Sequence, residues 1–325
     1  FGVNYDVGLD IVLGVSYIHR DLGNIVEDMS PDGGTTYLLA NPGVAADPNV
    51  VAQLQSEVDR LKPAGTAANA KVEDQLAYQD AVSLLGAYKL VGSVFPKARR
   101  NYDALVLTAN KRLSNRFSII SSYTYSRTIG NYPGTFSSSN GQLDPNISSQ
   151  FDLIDLLANR NGPLPTDRPH NFKATAFYDQ PLFGDKGKLT IGLTFTATSG
   201  RPIEVLGRHP YYGRREVYIL PRGSGGRTPM VTQFDLHVGY DHKLTQTVGM
   251  NLFIDVVNLF NQQEVTNVDD EFTATTVSPI VNGQLTDLKH LKANNGTLPT
   301  FNSNYGQPTS YQLPLYMRFG WRLTF

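Results

Sequence analysis

PLYMRFGWRLTF, residues 314–325, reads differently depending on which alternate positions are taken. Counting back in twos from Phe325 gives Leu323, Trp321, Phe319, Met317 and Leu315. The positions between are Thr324, Arg322, Gly320, Arg318 and Tyr316. A period of two means a strand, because successive side chains on a strand point to opposite faces. Here one face is wholly apolar and the other carries two arginines, so each face must meet a different medium.

The same alternation recurs upstream. Segments 10–20, 99–112, 117–127, 168–179, 188–199, 232–243 and 248–260 read as strands, with a remnant at 1–6 and a closing strand at 311–325. In KLTIGLTFTATS, Leu189, Ile191, Leu193 and Phe195 alternate with Thr190, Gly192, Thr194 and Thr196. The connections alternate too. Short ones fall near 7–9, 113–116, 180–187 and 244–247, and long ones at 23–98, 128–167, 200–230 and 261–310. Loops beyond about 12–15 residues are uncommon in compact domains. Four of them in strict alternation with tight turns predict an all-β, antiparallel transmembrane β-barrel with long extracellular loops. Residues 72–88 break the pattern: Val72, Leu76, Ala77, Ala81, Leu84 and Leu85 take helical spacing, which predicts one short helix inside the longest loop.

Composition agrees. The 325 residues are 18% charged and 40% hydrophobic with a net charge of -1. No apolar run nears the roughly 18 residues of a spanning helix. The near-neutral balance gives no electrostatic case for nucleic acid. Cysteine is absent, which removes disulfides, thiol nucleophiles and thiolate metal sites. FGVNYD shows neither initiator Met nor signal-peptide regions and opens inside an alternating pattern, so the expectation is a fragment or processed product.

Several stretches carry a resemblance: GVSYIHRDLGNIVED (14–28), YLLANPG (37–43), RRNYDALVLTANKRLSNRFSIISSYTYSRTIGNYPG (99–134), PTDRPHNF (165–172), FIDVVNLFN (253–261) and the closing strand. Together they resemble the C-terminal barrel part of TonB-dependent outer-membrane transporters of the Oar-like kind. The resemblance implies that residues 1–325 are part of a 22-stranded barrel, with plug and N-terminal domain outside this sequence. It implies gated passage of a scarce solute and TonB acting through an N-terminal region. It implies no enzyme and no cofactor, and a final strand (Phe319, Trp321, Leu323, Phe325) that meets lipid and is read by the barrel assembly machinery. In a barrel of that size Tyr5 and Phe319 share no ladder, whereas a ten-stranded barrel closes through them. The rival readings are a small closed barrel with a hydrolase at its rim, and a structural or adhesive barrel.

Candidate chemistry is sparse. The six histidines, His19, His170, His209, His237, His242 and His290, have no metal-motif spacing, and neither GxSxG nor a P-loop occurs. On the inner face, a turn centred near Thr245 sets Asp235 opposite Asp255. Arg318 and Arg322 come from the adjoining strand, which predicts a charge network bracing the wall. RHPYYGRREVYILPR (208–222) offers Arg208, Tyr211, Tyr212, Arg214, Arg215 and Tyr218 for stacking on sugars or peptides and pairing with carboxylates. Solvated loop tips and contacts to neighbouring proteins are equally open. NVDDEF (267–272) holds Asp269, Asp270 and Glu271, either a calcium ligand set or a solvated acidic cluster.

Overall fold

The computed structural model describes residues 1–136 and 149–325. The loop expected at 132–141 lies, from 137 onward, outside the described residues. Nine long strands form one antiparallel sheet: β1 Gly2–Gly8, β2 Ile11–Leu22, β3 Arg100–Ser114, β4 Phe117–Gly130, β5 His170–Leu182, β6 Gly187–Thr198, β7 Val231–Lys243, β8 Gly249–Val257 and β9 Tyr316–Thr324. They neighbour one another in sequence order, with the two-residue strand Gly162–Pro163 added against β4. The edges are β1 and β9, and among the described residues no ladder joins them. The sheet is therefore an open arc.

Register makes the two faces continuous. Tyr17 pairs with Leu105, Leu105 with Tyr125, Ile191 with Val238, Val238 with Ile254, and Ile254 with Phe319. Because the side-chain period is two, one apolar pair on each ladder puts the whole apolar set on one face. That face runs from Val3 and Tyr5 to Phe319, Trp321 and Leu323, the last three 73%, 69% and 43% exposed. The other face carries Ser16, Thr108, Ser122, Lys173, Thr194, His237, Asp255 and Arg318. Its glycines have a use. A side chain at Gly192 would meet the Phe177 ring at 2.6 Å, and one at Gly320 would run into the ring of Phe253. The inner face thus accommodates aromatic rings beside positions that carry none.

One end of the arc closes by tight turns. Leu9–Asp10 and Asn115–Arg116 have both central φ angles positive, as a two-residue hairpin twisted like its strands requires. At the other end stand the connections 23–99, 131–169, 199–230 and 258–315, and they are not slack. The most fully buried side chains, among them Arg160, Phe151, Met29, Leu164, Leu206 and Ile219, all belong to them. One cluster joins Ile25, Met29, Leu38, Ala87, Val91 and Phe95 of the first to Tyr132 and Phe151 of the second. Another joins Val205, Val217, Ile219 and Leu220 of the third to Val277 and Leu291 of the fourth. Each fully buried aliphatic side chain adds about 1.5–3 kcal/mol, so the connections pack into a cap.

Three expectations need correction. The single short helix is two long ones, α1 Pro48–Gly65 and α2 Val72–Val94. The α1 signals were present: Asp47 caps the Asn49 amide at 2.8 Å, Pro48 follows, and Val51, Leu54, Val58 and Leu61 keep helical spacing. The closing strand starts at Tyr316 and not at 311. Pro314 has no N–H to give a ladder, and Pro308–Tyr311 pairs instead with Val265–Val268 in the cap. The strand expected over 248–260 stops at Val257, where Asn258 turns to φ 55°.

Candidate functional site

The cap hairpin holds the residues nominated for recognition. Strands Leu206–His209 and Gly213–Tyr218 pair antiparallel, and Glu271–Thr276 adds parallel to the former. This joins the arginine-tyrosine segment to the acidic one. Arg214 forks onto Glu271 with Nε–Oε1 2.7 Å and Nη2–Oε2 2.5 Å. Arg215 donates to Asp269 at 2.8 Å, Asn302 to the same carboxylate at 2.9 Å, and Arg201 to Asp270 at 2.7 Å. All three carboxylates are matched by arginine, which leaves neither a solvated acidic cluster nor an open calcium cradle. Among the described residues, no group of three or more His, Asp or Glu is placed to hold a metal ion.

The six nominated residues divide. Tyr218 is 3% exposed, with the guanidinium carbons of Arg222 and Arg160 at 4.6 and 5.1 Å from its ring centroid. It is part of the cap's core and not a surface contact. Arg214 and Arg215 are occupied by carboxylates. Tyr212 meets Tyr37 hydroxyl to hydroxyl at 3.0 Å, tying the third connection to the first. Arg208 is exposed and Tyr211 is 84% exposed. Those two remain available. Beneath them lies a residue the sequence reading gave no role: His209 Nδ1 accepts the amides of Tyr211 (3.3 Å) and Tyr212 (3.2 Å). Its Nε2 must then carry the proton, which it donates to Asp155 at 3.1 Å. Turn-forming HPYYG was the only signal for this.

An acid pair sits where three connections meet. Asp152 accepts the Ser30 amide through its carbonyl at 2.9 Å and lies against Asp28, Tyr212 and Glu216. Burial, then the facing Asp28 carboxylate, push the Asp152 carboxyl up to about 7, against the Tyr212 hydroxyl that favours its ionised form. The folded value is raised above the unfolded one, so this contribution is present at low pH and is lost as pH rises through about 7. Because the group is partly solvated, the cap should lose on the order of 1–2 kcal/mol between pH 5 and 8. Hydrogen exchange at Ser30 measures it, and Asp152→Asn should flatten the dependence. Faster exchange at pH 5 than at pH 8, after correction for intrinsic rates, would reverse the sign.

On the sheet's polar face, His237, Asp255 and Arg318 stand in register across three strands. Asp255 Oδ1 is 2.6 Å from His237 Nδ1, and its Oδ2 receives Arg318 Nη2 at 2.6 Å and Nε at 2.9 Å. Asp235 is not part of this contact. The ladder from Lys243↔Gly249 centres the turn on Gln246, and not on Thr245, which shifts the pairing by two residues. Asp235 instead receives Gln233 Nε2 and the Asn258 amide, each at 2.9 Å. Arg322 lies further along, opposite Asn251 and beside Lys188 and Asp241. Since His237 keeps its hold on Asp255 and Arg318 is 71% exposed, Arg318→Met should cost no more than about 1 kcal/mol. Urea unfolding of the assembled barrel checks this; a loss several times larger contradicts it.

Comparison with known proteins follows the same lines. The outer membrane beta barrel domain family matches residues 12–215. TonB-dependent transporter Oar of Myxococcus xanthus is 34% identical over 339 aligned positions, covering 100% of this chain. The chain spans about a quarter of that relative, 27% of its length. Among solved structures, the closed form of the ferric-catecholate import receptor Fiu from E. coli K12 aligns with 83% of this chain and 24% of its own, at 12% identity and a TM-score of 0.37. The chain belongs to the outer membrane beta barrel domain family, is Oar-like over its whole length, and is a protein of the outer membrane.

Proposed function

We propose that this chain is barrel wall and outer cap of a TonB-dependent transporter that admits a scarce solute. The observation that carries the reading is its 34% identity, over the whole chain, to a protein named as such a transporter. The polar face supports it as the wall of a passage, and the packed cap as its entrance. Arg208 and Tyr211, exposed above His209, are the residues we assign to first contact with the solute. Lipid meets the apolar face, TonB supplies the energy, and the barrel assembly machinery receives the row Phe319, Trp321, Leu323 and Phe325. Gated passage needs no bond to be made or broken by the protein, so no catalytic residue is assigned.

The test is depletion of medium solutes by cells expressing the complete protein, with and without TonB, followed by mass spectrometry. A solute depleted only when both are present supports the proposal, and its depletion should fall about tenfold in the double variant Arg208→Ala, Tyr211→Ala. Depletion that ignores TonB and the energised state contradicts it. The assembly role is separable: removing Phe325 should lower outer-membrane abundance severalfold while uptake per assembled molecule stays constant. Normal abundance with lost uptake refutes that role.

A further inference from the structure

The apolar face ends abruptly at its loop end. Its last ring-bearing row is Tyr17 on β2 and Tyr125 on β4, 49% and 51% exposed, with His170 on β5 packed against Tyr125 at 5.4 Å between centroids. One step of two residues beyond, on the same face, stand His19, Asp103 and Arg127, which are partners across the β2, β3 and β4 ladders. Two residues span about 7 Å along a strand. From Phe117 to Tyr125 the outward row of β4 covers eight residues, or on the order of 20 Å in height for a tilted strand. The further step to Arg127 brings this to about 25 Å, the height of the apolar band, so the charged row sits at the level of lipid headgroups.

A cleft of about 270 Å³ opens in this row, lined by Arg99, Asn101, Asp103, Arg127, Ile129, Gly130 and Asn161. Its charges are not internally satisfied. Asp103 lies across the ladder from Arg127 yet takes its hydrogen bonds from Tyr17 hydroxyl (2.6 Å) and His19 Nδ1 (2.7 Å). Among the described residues neither Arg99 nor Arg127 forms an ion pair, and both are exposed. The outward carboxylate of Asp21, paired in register with Asn101, is the other acid nearby. Within the cleft Asn101 Oδ1 is buried without a donor. The site therefore offers two guanidinium forks and one orphan acceptor, at headgroup height, on the face that meets lipid.

We infer that this cleft binds the headgroup of an outer-leaflet lipid, with phosphate held by Arg99 and Arg127 and a headgroup hydroxyl donated to Asn101. Planar guanidinium groups match phosphate oxygens in pairs, and among the described residues no carboxylate engages either arginine, the nearest one, Asp103, being held by Tyr17 and His19. The inference rests on the outer-membrane location and the strand register and is independent of which solute is carried.

The test uses the complete protein in neutral detergent, with phosphatidylglycerol, phosphatidylcholine and inorganic phosphate as probes. Native mass spectrometry should retain phosphatidylglycerol at least tenfold more strongly than phosphatidylcholine, and hydrogen exchange over 99–103 and 127–130 should slow with the former alone. Both readouts need only the wild-type protein. Arg99→Gln with Arg127→Gln should abolish the preference, Arg127→Lys should keep part of it, and Lys173→Gln on the inner face should leave it unchanged. An unchanged preference in the double variant overturns the site. So does equal protection by inorganic phosphate at matched concentration, which would make it a site for free anions, and so does wild-type retention of both lipids alike.

Discussion

Ile191→Arg should sharply reduce assembled protein, whereas Thr194→Arg, three residues along the same strand, should be nearly neutral. Ile191 lies in β6 between Tyr178 and Val238, on the apolar face and in the middle of the band. A guanidinium there must be drawn out of water into hydrocarbon, at about 2–4 kcal/mol near the midplane. Thr194 is on the opposite face, where its hydroxyl meets that of Thr175 at 3.1 Å, Asp235 pairs with it across the ladder and Lys173 stands one step along. Arginine at that position keeps its hydration. Heat-modifiable migration of membrane fractions reads the difference directly, and equal yields of the two variants would invert the facing derived from register.

Arg201→Met should be the more damaging change in the cap. The Arg201–Asp270 pair is 9% and 4% exposed, and burial already raises the Asp270 carboxyl while Arg201 opposes that rise. Removing the cation leaves a buried carboxylate without its partner, a loss of about 3–5 kcal/mol. Replacing Asp270 by Leu in the same background should recover much of it. By contrast Glu57→Gln, which breaks the exposed Glu57–Arg60 pair of α1, should leave the cap's stability essentially unchanged. Packed loops open locally at lower cost than a strand ladder, so the measurement is local: hydrogen exchange over 200–210 and 265–276. No acceleration there in Arg201→Met would mean that the pair adds nothing to the cap.

Much of this protein was legible in its sequence for one reason, which is that a strand in a membrane has a periodicity of two and a length set by the bilayer. Tyr17, Leu105, Ile191, Leu252 and Trp321 declare one face by position alone, and the alternation of tight turns with long connections declares which end is which. The resemblance carried by SYTYSR and VVNLFN pointed to the same family. What escaped was whatever depends on meeting a partner far along the chain. Asp255 finds His237 and Arg318, and not Asp235, because the turn centres one residue later, on Gln246, which moves the ladder by two. Arg214 and Arg215 looked like free recognition groups, and Asp269, Asp270 and Glu271 like a solvated or calcium-binding patch. Only folding put the two segments side by side, where each charge is met by its opposite. Tyr218 looked like its neighbour Tyr212 until the packing buried one and left the other at a junction. Local pattern determined the wall, since each residue there answers to lipid or water. The cap was decided by tertiary contact, since its residues answer to one another.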